Sequence, residues 1–115
     1  MSDNRSPDQV VDEQIRAYND RDIDAFVEWY AEDAVVARLP SGEVVAEGTA
    51  EIREGWGELF QSTPDLHCEV TDRFTMGEFV ACVEDVAGMD EPLTALGLYQ
   101  VRDGKIQRLW LAQED

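Results

Sequence analysis

The order of helical and strand-like patterns predicts an α+β domain, with three helices packed on a strongly curved antiparallel sheet. Three observations carry this expectation. Apolar residues recur at helical spacing in three early segments. A turn signal splits a short strand pair that precedes the third of them. From Asp65 onward every segment reads as strand, broken only by short glycine-containing turns. The 115 residues fit one domain, 1–115, with no repeat and no low-complexity stretch.

Ser6 suits an N-cap, Pro7 the first helical position, and Gln9 completes a capping box. Val11, Ile15 and Tyr18 then form one helical stripe. Asn19-Asp20-Arg21-Asp22 interrupts it, and Asp22 caps a second helix whose Ile23, Phe26, Val27 and Tyr30 share a face. Ala34 to Leu39 reads as a strand. Leu39-Pro40-Ser41-Gly42 has proline at i+1 and glycine at i+3, a type I turn signal, and Glu43 to Ala46 returns as a second strand. Thr49 is the expected cap of a third helix, with Ile52, Trp56, Leu59 and Phe60 on one side. Four strands follow: Leu66 to Phe74, Glu78 to Ala87, Leu93 to Val101 and Lys105 to Ala112. The first pair flanks Thr75-Met76-Gly77. The second flanks Arg102-Asp103-Gly104, whose Asp-Gly is a strong hairpin signal.

Charge excludes several functions. The formal net charge is −17, and only nine residues are Lys or Arg, so a nucleic-acid footprint and an anionic membrane partner are both disfavoured. No apolar run reaches the roughly 18 residues of a membrane span, and the polar, acidic stretch from Met1 to Pro7 does not read as a signal peptide. The expected compartment is the cytoplasm, with Cys68 and Cys82 as buried free thiols. Lys105 is the sole lysine against eight arginines, and 13 Asp join 13 Glu. This balance suits a saline cytoplasm and a halophilic source, because salt screens self-repulsion. One histidine and two embedded cysteines make no usual zinc site, and no calcium loop is present, so no metal is expected. No glycine-rich phosphate loop or nucleophile elbow appears, and no cofactor is expected.

Four strings, taken in order, resemble the NTF2-like superfamily, especially its SnoaL-like and ketosteroid-isomerase-like branches. They are Tyr18-Asn19-Asp20-Arg21-Asp22-Ile23-Asp24, Tyr30-Ala31-Glu32-Asp33-Ala34-Val35, Gly48-Thr49-Ala50-Glu51-Ile52-Arg53 and Val101-Arg102-Asp103-Gly104-Lys105-Ile106. The resemblance implies a cone-shaped barrel around an apolar pocket, and a homodimer formed through the outer sheet face. It does not carry the isomerase activity across. The helix-one tyrosine of that branch is replaced by Gln14. Its proton-shuttling aspartate falls in a strand that holds Arg38 and no acid. Its protonated aspartate falls in Ala95-Leu96-Gly97-Leu98, again without an acid.

Other residues then become the candidates. A turn centred on Met76 would set His67 opposite Asp85, where a carboxylate fixes the imidazole for proton transfer; the same pair could equally be a surface ion pair. Arg38 either holds an anionic group in the pocket or pairs outward with an acid. Trp56 and Phe60 either pack the core or line the pocket mouth; Gln14, Tyr18 and Tyr30 complete the ligand-contacting candidates. With a two-residue Asp-Gly turn, Trp110, Tyr99, Val101 and Ile106 would form an apolar outer patch suited to a dimer. The expected function is binding of a small, largely apolar molecule, with cofactor-free acid/base catalysis as the enzymatic form. The alternatives are a carrier or sensor, and a protein-interaction module acting through the outer sheet face.

Overall fold

The computed structural model describes residues 5–113. Residues 1–4 and 114–115, including most of the polar N-terminal stretch, lie outside the described residues. The chain runs through α1 (Pro7–Asn19), α2 (Ile23–Glu28), β1 (Tyr30–Arg38), β2 (Val44–Glu47) and α3 (Gly48–Ser62). It continues with β3 (His67–Met76), β4 (Phe79–Ala87), β5 (Leu93–Arg102) and β6 (Lys105–Gln113).

The first two helix starts follow the sequence signals. The Gln9 amide donates to Ser6 Oγ at 3.3 Å and the Ser6 amide donates to Gln9 Oε1 at 2.9 Å. The Ala25 amide donates to Asp22 Oδ1 at 3.2 Å. The third start differs. Gly48, not Thr49, opens α3, and its φ of +85° lets β2 turn into the helix with no loop between them. Thr49 therefore lies inside the first turn, and the Glu51 carboxylate accepts from the Glu47 amide at 2.9 Å instead. Tyr30 belongs to β1 rather than to the second helix, although its side chain is buried as its stripe implied. The connection after β1 is wider than a type I turn: the Gly42 amide donates to the Arg38 carbonyl at 2.8 Å, and the Leu39–Pro40 peptide is cis.

The six strands form one sheet in the order β2-β1-β6-β5-β4-β3. The sheet is mixed rather than wholly antiparallel, because β1 and β6 pair in parallel while every other neighbouring pair is antiparallel. The distance along the chain between β1 and β6 leaves room for the crossover that a parallel pair needs. Helix α1 packs across β3–β6 and α3 across β1 and β2, so all three helices cover one face. Phe26 centres the aromatic core, with Tyr30, Phe60, Trp56 and Tyr18 at 5.1–6.2 Å between ring centroids. Cys68 and Cys82 are buried free thiols.

Two one-residue bulges reset what faces inward. The Asp103-Gly104 turn has the expected two residues, with Arg102 paired to Lys105. A register shift between Gln100 and Val101 then sets Tyr99 opposite Leu109 and Leu98 opposite Trp110. The extra residue, Gln107 on β6, leaves Tyr99, Val101 and Ile106 together in the core, at 2%, 3% and 0% exposure, and turns Trp110 to the other face, so the four do not form an outer patch. The apolar outer face is instead built around Phe74, Met76, Phe79 and Leu98.

Candidate functional site: an internal cavity with one buried carboxyl

A cavity of about 210 Å³ lies between α1, α3 and the inner sheet face. Ile15, Leu59, Met89, Leu93, Leu109 and Leu111 supply most of its wall. Gln14, Tyr18, Tyr30 and Glu84 bring polar groups to it. A mostly apolar concavity with a few convergent polar groups is the usual form of a small-molecule site.

The sheet positions Glu84. Along β4, Val80, Cys82, Glu84 and Val86 point inward by strand alternation. Glu84 is only 6% exposed. The Tyr99 hydroxyl donates to Glu84 Oε2 at 2.6 Å. Burial raises the Glu84 carboxyl above the usual carboxylate range, while the Tyr99 hydrogen bond and the charge of Arg73 partly offset that rise. Burial likewise raises the phenols of Tyr18, Tyr30 and Tyr99, with the Glu84 charge adding to it. The thiols of Cys68 and Cys82 are pushed up to about 12 and about 11, first by burial and then by Glu84, so neither is an activated nucleophile. On the opposite wall the Tyr30 hydroxyl donates to Gln14 Oε1 at 2.8 Å, which fixes both side chains. Among the described residues no Lys, Arg or His lines the cavity.

Four of the expected site residues meet here: Gln14, Tyr18, Tyr30 and Trp56. The others do not. Phe60 is core, edge-on to Tyr18 and Phe26 at 5.4 Å. Arg38 points outward, its Nε 3.5 Å from a Glu43 carboxylate oxygen. His67 is exposed opposite Ala87 rather than Asp85. The hairpin closes between Met76 and Phe79, later than a turn centred on Met76, and the one-residue shift between Val70 and Asp72 takes back only part of that offset, so the partner of His67 lies two residues from Asp85. Asp85 instead faces Glu69 across the strands and accepts from the Thr94 hydroxyl at 2.9 Å. Glu84 was not among the candidates, although an acid inside the Val80-x-Cys82-x-Glu84-x-Val86 alternation is a readable signal. It lies directly opposite Ala95 on β5.

Cone-like α+β architecture and an internal pocket place the chain in a structural class, and the comparisons with known proteins give the family. The SnoaL-like domain model matches residues 11–109, and the chain belongs to that family. No curated protein matches it. Among solved structures, a cystatin fold protein from Novosphingobium aromaticivorans is similar at 28% identity and a TM-score of 0.87, covering 94% of this chain and 98% of its own. An NTF2-like protein from Cytophaga hutchinsonii shares the fold at 21% identity and a TM-score of 0.82, covering 99% and 95%. A SnoaL-like protein from Burkholderia thailandensis does so at 21% and 0.80, covering 95% and 94%.

Proposed function

We propose that the cavity binds an uncharged, largely apolar molecule and that Glu84 exchanges a proton with it without a cofactor. The observation that carries this reading is a single carboxyl, nearly sealed from water, on the wall of a mostly apolar cavity. A buried carboxyl that holds its proton donates to a ligand oxygen; once ionised it accepts a proton from carbon. The absence of a cation on the described wall disfavours anionic guests. A volume of about 210 Å³ suits one or two rings.

The test uses 1-tetralone, a neutral two-ring ketone, and 1-naphthoate, an anion of similar size. Saturable quenching of tryptophan fluorescence, diminished in Trp56→Phe, is expected with the ketone and not with the anion. The wild type should also speed deuterium exchange at the carbon beside the carbonyl, and Glu84→Gln should not. Binding without exchange would make the protein a carrier. Equal affinity for the anion, or no binding of either, would defeat the reading.

The outer sheet face supports a homodimer in the same proposal. Phe74, Met76 and Phe79 are 61%, 65% and 39% exposed and line one apolar groove with Ala81 and Leu98. Phe74→Asp is expected to halve the mass seen by light scattering; a monomeric wild type would remove the dimer. The same proposal keeps the halophilic source and the cytoplasmic location. Among the described residues no helix is long and apolar enough to cross a membrane.

A further inference from the structure

We infer that Gly97 is a positioning residue, whose missing side chain is the seat that holds the Glu84 carboxyl against Tyr99. The inference rests on the proposed role of Glu84 and extends it to a residue with no functional group. Gly97 lies mid-strand in β5, opposite Cys82 on one side and Leu111 on the other. Its φ is not in the left-handed region, unlike those of Gly42, Gly48, Gly77, Gly88 and Gly104. The backbone therefore does not demand glycine there, and a strand interior disfavours it. Space is tight there instead, and what fills it is side chain. A Cβ at position 97 would lie 2.9 Å from Glu84 Oε2, 3.2 Å from Glu84 Cδ and 3.0 Å from Tyr99 Cε1. Two of those three contacts are to the carboxyl itself. The oxygen crowded at 2.9 Å is the one that accepts from the Tyr99 hydroxyl.

The pairing explains the geometry. Glu84 sits opposite Ala95, and its side chain leans along the inner face toward position 97, two residues on. Any larger residue at 97 would swing the carboxyl off Tyr99 and into the cavity. Gly97 thus sets the direction of the group that would meet a ligand.

A double-mutant cycle tests this through urea midpoints of wild type, Gly97→Ala, Glu84→Ala and the double variant. Gly97→Ala is expected to lower the midpoint in the wild-type background and to leave it nearly unchanged where Glu84 is already Ala. Gly97→Ala should also lose at least tenfold in 1-tetralone affinity relative to wild type. Failure of Gly97→Ala to fold while the double variant folds supports the seat. Equal losses in both backgrounds, or failure of both variants to fold, overturn it, because the strand rather than the carboxyl would then require glycine. So would a crystal structure of Gly97→Ala with Glu84 Oε2 still on the Tyr99 hydroxyl. The cycle contains no ligand, so a wild type that binds no ketone would defeat the cavity reading and leave the seat standing.

Discussion

Tyr99 is the donor that a nearly dry carboxyl depends on, and its loss has a definite cost. Tyr99→Phe removes the 2.6 Å hydrogen bond to Glu84 and leaves a buried acceptor with one fewer partner. The expected loss is about 1–3 kcal/mol, read from urea unfolding. The titration of Glu84 gives a second outcome. Tyr99 on β5, Tyr30 on β1, Tyr18 on α1, and Arg73 and Cys68 on β3 surround it, and burial dominates, so its folded pKa lies above its unfolded value. The native state then holds the proton more tightly. The stability linked to Glu84 is complete below the ordinary carboxylate range and is lost as pH rises through the folded value. Glu84→Gln should therefore flatten that decline, measured as melting temperature against pH; an unchanged slope would show that Glu84 titrates normally. This residue was legible as a lone acid on an apolar strand face. It was hidden among 26 acidic residues, most of which look alike without a register.

At the scale of elements, side chains and not only strands tie the cone together. Asn19 at the end of α1 clamps the start of β3: its Nδ2 donates to the Cys68 carbonyl at 3.0 Å, and its Oδ1 accepts from the Cys68 amide at 2.7 Å. Asn19→Ala is expected to cost about 1–3 kcal/mol by leaving two backbone groups unpaired, with a lower melting temperature as the readout. Gly88 is more demanding. Its φ is +95°, and a Cβ there would lie 2.1 Å from the Asp65 carbonyl oxygen. Gly88→Ala should fail to reach the native fold, as judged by loss of near-ultraviolet circular dichroism. The sequence displayed the helices, the hairpins and the Asp-Gly turn because each has a local cause. It did not display the bulges near Thr71 and Gln107, since an extra residue in one strand is fixed by packing across the sheet. The turn between Met76 and Phe79 parted His67 from Asp85, the β3 bulge taking back only one residue of that offset, and the extra residue on β6 put Trp110 on the face opposite Ile106. The parallel pairing of β1 with β6 is equally non-local.

The molecule as a whole carries −17 charges with few compensating cations. Ion pairs such as Arg73 with Asp12 at 2.6 Å use several of the arginines. Elsewhere like charges meet, as where Glu69 and Asp85 face each other across β3 and β4. Salt at molar concentration cuts the Debye length to about 3 Å and screens such repulsion. The melting temperature should therefore rise from low to multimolar KCl, and an equal value in both would contradict a halophilic adaptation. The fold itself was readable from the order of helical and strand patterns. The cavity followed only through the family resemblance, because composition cannot say whether ten aromatic side chains fill a hollow or line it. The most direct test is a crystal structure of the wild type soaked in 1-tetralone. The ketone should lie between α1 and the sheet with its oxygen within hydrogen-bond distance of Glu84. A cavity that stays empty, or a ketone seated only on the outer groove beside Phe74, would contradict the account.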